Sequence, residues 1–215
     1  MTQTLVIVDV QNDFSPAGAL PVPDGDSVVT VINRLMPCFD HVVATQDWHP
    51  AGHGSFASVH HMSPGEMTEL SGIQQILWPV HCVQSSWGAE FIPGLATSNI
   101  EYIVYKGSDP EIDSYSGFFD NGKRQATGLL DYLKEIDSDE LYIVGLATDY
   151  CVLFTALDAV ELGFKTYVVQ DACRAVNLNP DDEDKALAKM VNAGCQIIQS
   201  SDVLEATNLS QGHDG

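Results

Sequence analysis

The chain has 215 residues, 45% of them hydrophobic, which suits one large α/β domain with a sizeable core better than two small ones. Its formal net charge is −21, with 9 Lys and Arg against 30 Asp and Glu. Such a surface repels phosphate backbones and anionic bilayers, so nucleic-acid and membrane partners are excluded.

Apolar runs alternate with amphipathic segments along the chain. A strand is predicted over 5–10, a helix over 27–36 and a strand over 41–46. A loop over 50–75 follows, then a strand over 102–105 and a second long loop over 107–127. Both loops are rich in Gly, Ser and Pro, and long loops in compact domains usually form lids or site walls. A helix is expected over 128–136, a strand over 141–144, a sharp turn at Gly145 and a helix over 149–162. The last third reads as a strand over 165–169, a helix over 181–193, a strand over 196–199 and a short helix after Ser201. Within 181–193, Ala186, Met190 and Ala193 repeat at helical spacing, and Asp181-Asp182-Glu183-Asp184 suits the positive end of the helix dipole. Residues 1–207 are read as one domain, and the polar tail 208–215 is expected to be disordered.

This alternation implies a parallel sheet covered on both faces: a Rossmann-like, three-layer αβα architecture with six mainly parallel strands. Ligands of such sheets bind outside the carboxyl ends of the strands. Asp9, Asp47, Lys106 and the turn before Cys151 all fall at those ends. A cysteine in the first turn of a helix faces free backbone N–H groups, which favour the nucleophilic thiolate; as a lone feature it reads equally as a buried small hydrophobe. Asp9 is embedded in apolar sequence and needs a cationic or hydrogen-bonding partner. In Asp47-Trp48-His49 two ligand types stand two residues apart on a strand end, and His81 offers a third. Two imidazoles and a carboxylate suit an open metal site holding Zn, Fe or Mn, while a hydrogen-bonded Asp–His pair explains the spacing as well. His53 is a further ligand candidate or a hydrogen-bonding partner of the site. His60 and His61 read as solvated loop residues.

Five segments, in order, resemble the motifs of nicotinamidases, which belong to the isochorismatase-like cysteine hydrolases. They are Asp9-Val10-Gln11-Asn12-Asp13-Phe14, Asp47-Trp48-His49-Pro50, Trp78-Pro79-Val80-His81-Cys82-Val83, Lys106-Gly107 and Gly145-Leu146-Ala147-Thr148-Asp149-Tyr150-Cys151-Val152. Tyr150 departs from the pattern, standing where many relatives have His. The resemblance implies strand order 3-2-1-4-5-6, which brings Asp9 beside Cys151, and a cis peptide between Leu146 and Ala147. It implies a catalytic triad of Asp9, Lys106 and Cys151, and one divalent metal on Asp47, His49 and His81. Ala147 and Cys151 N–H groups are the oxyanion-hole candidates. Phe14 and Trp78 are expected to flank the substrate ring, with Tyr115, Phe118 and Ala147 as further pocket candidates. The implied activity is deamidation of nicotinamide to nicotinate through a cysteine thioester, serving NAD salvage, with pyrazinamide as a second substrate.

The five cysteines are odd in number and widely spaced, which is no disulfide framework. No basic-plus-apolar leader precedes Leu5, so a reducing cytoplasm is expected. The sequence leaves a homo-oligomer open. Two alternatives compete: another small-amide or isochorismate-type hydrolase of the superfamily, and an inactive metal-binding scaffold. The complete metal set argues against the first, and the complete triad against the second.

Overall fold

Five consecutive buried residues, Leu5–Asp9 and their neighbours, mark a strand enclosed on both faces, as expected at the centre of a parallel sheet. This strand, β1 (Thr2–Val8), opens a computed structural model that describes residues 1–211. There follow α1 (Val28–Leu35), β2 (His41–Asp47), β3 (Met67–Leu70), β4 (Ile73–Ile76), β5 (Tyr102–Lys106) and α2 (Leu129–Glu135). The second half holds β6 (Ser138–Leu146), α3 (Leu153–Glu161), β7 (Lys165–Arg174), α4 (Asp182–Ala193), β8 (Gln196–Ile198) and α5 (Ser200–Gln211). The main sheet has six strands, all parallel, in the order β5-β2-β1-β6-β7-β8. Counted among its own strands this is 3-2-1-4-5-6, with the order reversing between β1 and β6.

Alternate side chains of the strands feed two cores. Leu5 and Ile7 pack with Val28, Val29, Ile32 and Leu35 of α1 and Val203 of α5. Val6 and Val8 pack with Leu129 and Leu133 of α2, Leu153, Ala156 and Ala159 of α3, and Ala186 and Met190 of α4. These are the three layers. Each fully buried Leu or Ile contributes about 1.5–3 kcal/mol by leaving water.

The structure differs from the sequence reading at several elements. The loop over 50–75 contains the start of an antiparallel hairpin, β3–β4, turned by Ser71 and Gly72, both at positive φ. β6 runs through Gly145 to Leu146, so Gly145 lies inside the strand rather than in a turn after it. The segment that carries Cys151 begins as a π-helical turn, Thr148–Val152, before α3 proper. Ala193, third in the helical repeat, is exposed, as are its neighbours Val191, Asn192 and Gly194. Residues 208–211 continue α5, while 212–215 lie outside the described residues.

Candidate active site

β1 and β6 approach so closely that a Cβ on Gly145 would lie 2.1 Å from the Val8 carbonyl oxygen. Gly145 also has φ +114°, a conformation that only glycine adopts freely. The close approach brings the residues after both strand ends together. Asp9 turns off β1 with φ 48°, a left-handed conformation that Asp tolerates better than most residues. Thr45 Oγ1 donates to Asp9 Oδ1 at 2.6 Å, and Asp9 N donates to Thr45 Oγ1 at 3.2 Å. Lys106 Nζ lies 2.7 Å from Asp9 Oδ2. It also donates to Asp47 Oδ1, to the Ser114 carbonyl at 2.9 Å and toward Cys151 Sγ at 3.4 Å. The sequence reading set Lys106 beside Asp9 and Cys151; the structure adds Asp47 and makes Lys106 the hub of all three. Asp9 Oδ2 meets Lys106 and, as a carboxylate oxygen, keeps a further lone pair for a thiol proton.

All of this is buried, and burial sets the charges. Burial lifts the Asp9 carboxyl above its ordinary value, against the pull of Lys106 and with the help of Asp47. Burial acts on Asp47 in the same sense, but Lys106 and His49 outweigh it and hold that carboxyl well below the usual range. Lys106 is pushed down by burial and up by Asp47 and Asp9, and the two carboxylates win. The Cys151 thiol is held well above its ordinary value, first by burial and then by Asp9 and Asp47, with Lys106 opposing. The sequence argument favoured thiolate from the helix start; here burial and the two carboxylates favour the thiol. A nucleophilic sulfur at this place would need a base, and Asp9 is the carboxylate beside it. Carboxylate oxygens of Asp9 and Asp47 and Cys151 Sγ all lie within 4.8 Å of one another.

Asp47, His49 and His81 also meet, with one ligand atom from each within 4.8 Å of the others. His49 Nδ1 is 2.7 Å from the Gly107 carbonyl and His81 Nδ1 is 2.8 Å from that of Pro79. Each ring thus donates Nδ1–H to a carbonyl and keeps the Nε2 lone pair free, the arrangement metal-binding imidazoles use. The two Nε2 atoms stand 3.6 and 3.7 Å from Asp47 Oδ2. His49 Nε2 is buried without a hydrogen-bond partner, an orphan that a metal ion would satisfy. Gly107 has φ +65°, and a Cβ there would lie 2.5 Å from the His49 ring. The donor set fits a divalent transition ion. His53 lies outside this set. Its Nδ1 accepts from Ser55 N at 3.2 Å and lies 2.7 Å from Ser55 Oγ, while its Nε2, like that of His49, is buried without a hydrogen-bond partner; with His49 and Asp113 it forms a second group of possible metal donors. Burial and the neighbouring His49 keep it neutral, with the pKa down at about 4.

The pocket over Cys151 is lined by Phe14, Trp78, Tyr115 and Ala147, four of the pocket candidates of the sequence, together with Asp47 and His81. Leu20, Asp113, Tyr150 and Val176 complete it. Of these only Tyr150 drew notice in the sequence; Leu20, Asp113 and Val176 sit in loops and carry no spacing signal. Trp78 Nε1 donates to the Tyr115 hydroxyl at 3.1 Å, and Tyr150 packs edge-on against Trp78 with ring centroids 4.8 Å apart. Phe118 is not part of the wall; it is buried in the core beside Phe164, because α2 and α3 close over it. His60 is partly buried rather than solvated, bonded through Nε2 to the Gly54 carbonyl. The Leu146–Ala147 peptide is cis, as the resemblance implied.

Residues 3–202 match the isochorismatase domain. The chain is 50% identical over 204 residues to the nicotinamidase of Escherichia coli (strain K12), covering 93% of this chain and 96% of that one. The chain belongs to the nicotinamidase branch of the isochorismatase family. Among solved structures of this family, the Acinetobacter baumanii nicotinamidase/pyrazinamidase superposes with a TM-score of 0.91 at 47% identity, covering 94% of this chain and 98% of that one. The Pyrococcus horikoshii pyrazinamidase, solved in complex with zinc, gives a TM-score of 0.76 at 37% identity, covering 93% and 99% of the two chains. Among the described residues, no helix is long and apolar enough to cross a membrane.

Proposed function

We propose that this chain hydrolyses nicotinamide to nicotinate and ammonia through a thioester on Cys151. The observation that carries the reading is the convergence of Cys151, Lys106 and Asp9 beneath an aromatic pocket flanked by two imidazoles with free Nε2 atoms. Asp9 takes the thiol proton as sulfur attacks the carboxamide carbon. The carbon–nitrogen bond then breaks, and Asp9 returns the proton to the leaving amine, which departs as ammonia. Water attacks the thioester, Asp9 takes its proton, and the thiol is restored as nicotinate leaves. Lys106 holds Asp9 in place and offsets the negative charge that builds on sulfur. The N–H groups of Ala147 and Cys151 receive the carbonyl oxygen as it becomes an oxyanion.

Phe14 and Trp78 flank the substrate ring, and Tyr115 closes the pocket from the second long loop. Asp47, His49 and His81 would hold one divalent transition metal, Zn, Fe or Mn, whose Lewis acidity serves to bind and orient the ring nitrogen. A pocket shaped for a pyridine carboxamide also accepts the pyrazine analogue, pyrazinamide. In this reading residues 1–207 work as one hydrolase domain, in a reducing cytoplasm that keeps the thiol usable, and supply nicotinate for NAD salvage.

Ammonia release from nicotinamide, measured on the metal-loaded protein with and without a chelator, tests the reading. Turnover that chelation suppresses and the Cys151→Ala variant lacks is expected. A loaded protein that releases ammonia from other small amides and not from nicotinamide would overturn it.

A further inference from the structure

The strand that should support Asp47 is missing on one side. β5 pairs with β2 to its last residue, Asp47 opposite Lys106. On the other side, β1 pairs with β2 only as far as Ile7 opposite Ala44, then turns away at Asp9. The backbone of Asp47 is therefore left without a main-chain partner on the β1 side. The Gln11 side chain occupies that place. Asp47 N donates to Gln11 Oε1 at 2.8 Å, and Gln11 Nε2 donates to Asp47 O at 2.9 Å. The second Nε2 hydrogen goes to the Ala89 carbonyl at 2.9 Å. Gln11 is fully buried, and its own N–H donates to the Asp9 carbonyl at 2.8 Å.

We propose that Gln11 is a positioning residue for Asp47, its side-chain amide standing in for a strand rung that aims the carboxylate at His49 and His81. The assignment rests on the reading of Asp47 as a metal ligand. A primary amide is the group that fits, because the site needs one acceptor and two donors on one planar head. Glutamate keeps the shape but puts oxygen against the Asp47 and Ala89 carbonyls. Through the Asp9 carbonyl, the same residue ties the turn of the proton carrier to the metal ligand.

Zn2+ affinity by chelator competition is the test, on the full chain, for wild type, Gln11→Glu, Gln11→Ala and Gln46→Ala. Gln46 donates to the same Ala89 carbonyl at 2.7 Å and its side chain makes no hydrogen bond to Asp47, so its variant reports loss of that bond and of packing with the Gln11 amide still at Asp47. Both Gln11 variants should weaken Zn2+ binding by about tenfold or more, the usual cost of losing a group that orients a ligand. KM for nicotinamide should rise more than kcat falls, and iodoacetamide should label Cys151 at the wild-type rate. Gln46→Ala should bind Zn2+ as wild type does. Wild-type affinity in either folded Gln11 variant, or an equal loss in Gln46→Ala, overturns the proposal. If neither Gln11 variant folds, Gln11 is a determinant of the fold and the proposal falls. Failure of wild type itself to bind Zn2+, Fe2+ or Mn2+ refutes the metal reading, and this assignment with it.

Discussion

Lys106 and Asp9 form a 2.7 Å ion pair across a strand to which neither belongs. β2 lies between β1 and β5, so the pair bridges two inter-strand spacings, about 10 Å of sheet. Lys106 passes over Asp47, its register partner, and binds it on the way. One long side chain thus compensates two buried carboxylates from two different strands. Lys106→Met should cost about 3–5 kcal/mol of stability, because it strands both acids without a cation. Urea unfolding at neutral pH checks this, and a loss under about 1 kcal/mol would mean that water or protonation compensates the acids instead.

Cys151→Ala should abolish ammonia release while keeping the fold and the bound metal. The thiol is small and lies against the pocket, so truncation leaves little cavity. Residual turnover above a few per cent of wild type, in a preparation free of wild-type protein, would assign the nucleophile elsewhere.

Asp9→Asn should lose at least about a hundredfold in kcat, the low end of what a general base supplies. Thr45 and Lys106 remain to hold the side chain, so circular dichroism should be unchanged. Iodoacetamide should label Cys151 more slowly in this variant, since the amide cannot take the thiol proton. An unchanged rate would mean that another group activates the sulfur.

His49→Ala and His81→Ala should each lower the bound metal measured by elemental analysis. His53→Ala should lower it far less, because that ring groups with His49 and Asp113 and not with Asp47 and His81. Equal loss in all three variants would make His53 a ligand after all.

Glu140 supplies a pH test away from the site. Burial alone would raise its carboxyl, but hydrogen bonds from Lys165 and Gln3 outweigh it and hold the group below the usual glutamate value. A depressed folded pKa contributes stability above the unfolded value of 4.5, and the contribution disappears as pH falls through the folded value. Glu140→Gln should therefore lower Tm at pH 7 by about 2–4 °C, and the gap from wild type should close on acidification below the glutamate range. A gap constant from pH 7 to 3 would mean that packing, not charge, holds Glu140.

Asp9, Asp47 and Lys106 were legible because an apolar run that stops at a charged residue marks both a strand and its exit, and parallel topology gathers the exits. The partner that Asp9 required was also legible in kind: Lys106 and Thr45 fill that role. The β3–β4 hairpin escaped because its strands carry Thr68, Glu69, Gln74 and Gln75 among their apolar residues, which blurs the two-residue period. Ser71-Gly72 was the available signal, a dipeptide suited to positive φ at both turn positions. Leu20, Asp113 and Val176 could not be found from spacing. Their place in the pocket comes from where loops fold back, which local pattern does not encode.

The pocket wall and the chemistry rest on different foundations. Asp9, Lys106 and Cys151 are fixed by the main sheet, whereas Tyr115 is held by Gln75 of the separate hairpin at 3.0 Å and by Trp78 at 3.1 Å. Changes in the hairpin can therefore reshape what is admitted while the reacting groups stay where the sheet puts them. A scaffold divided in this way lets substrate range drift under selection without each trial variant having to rebuild the nucleophile.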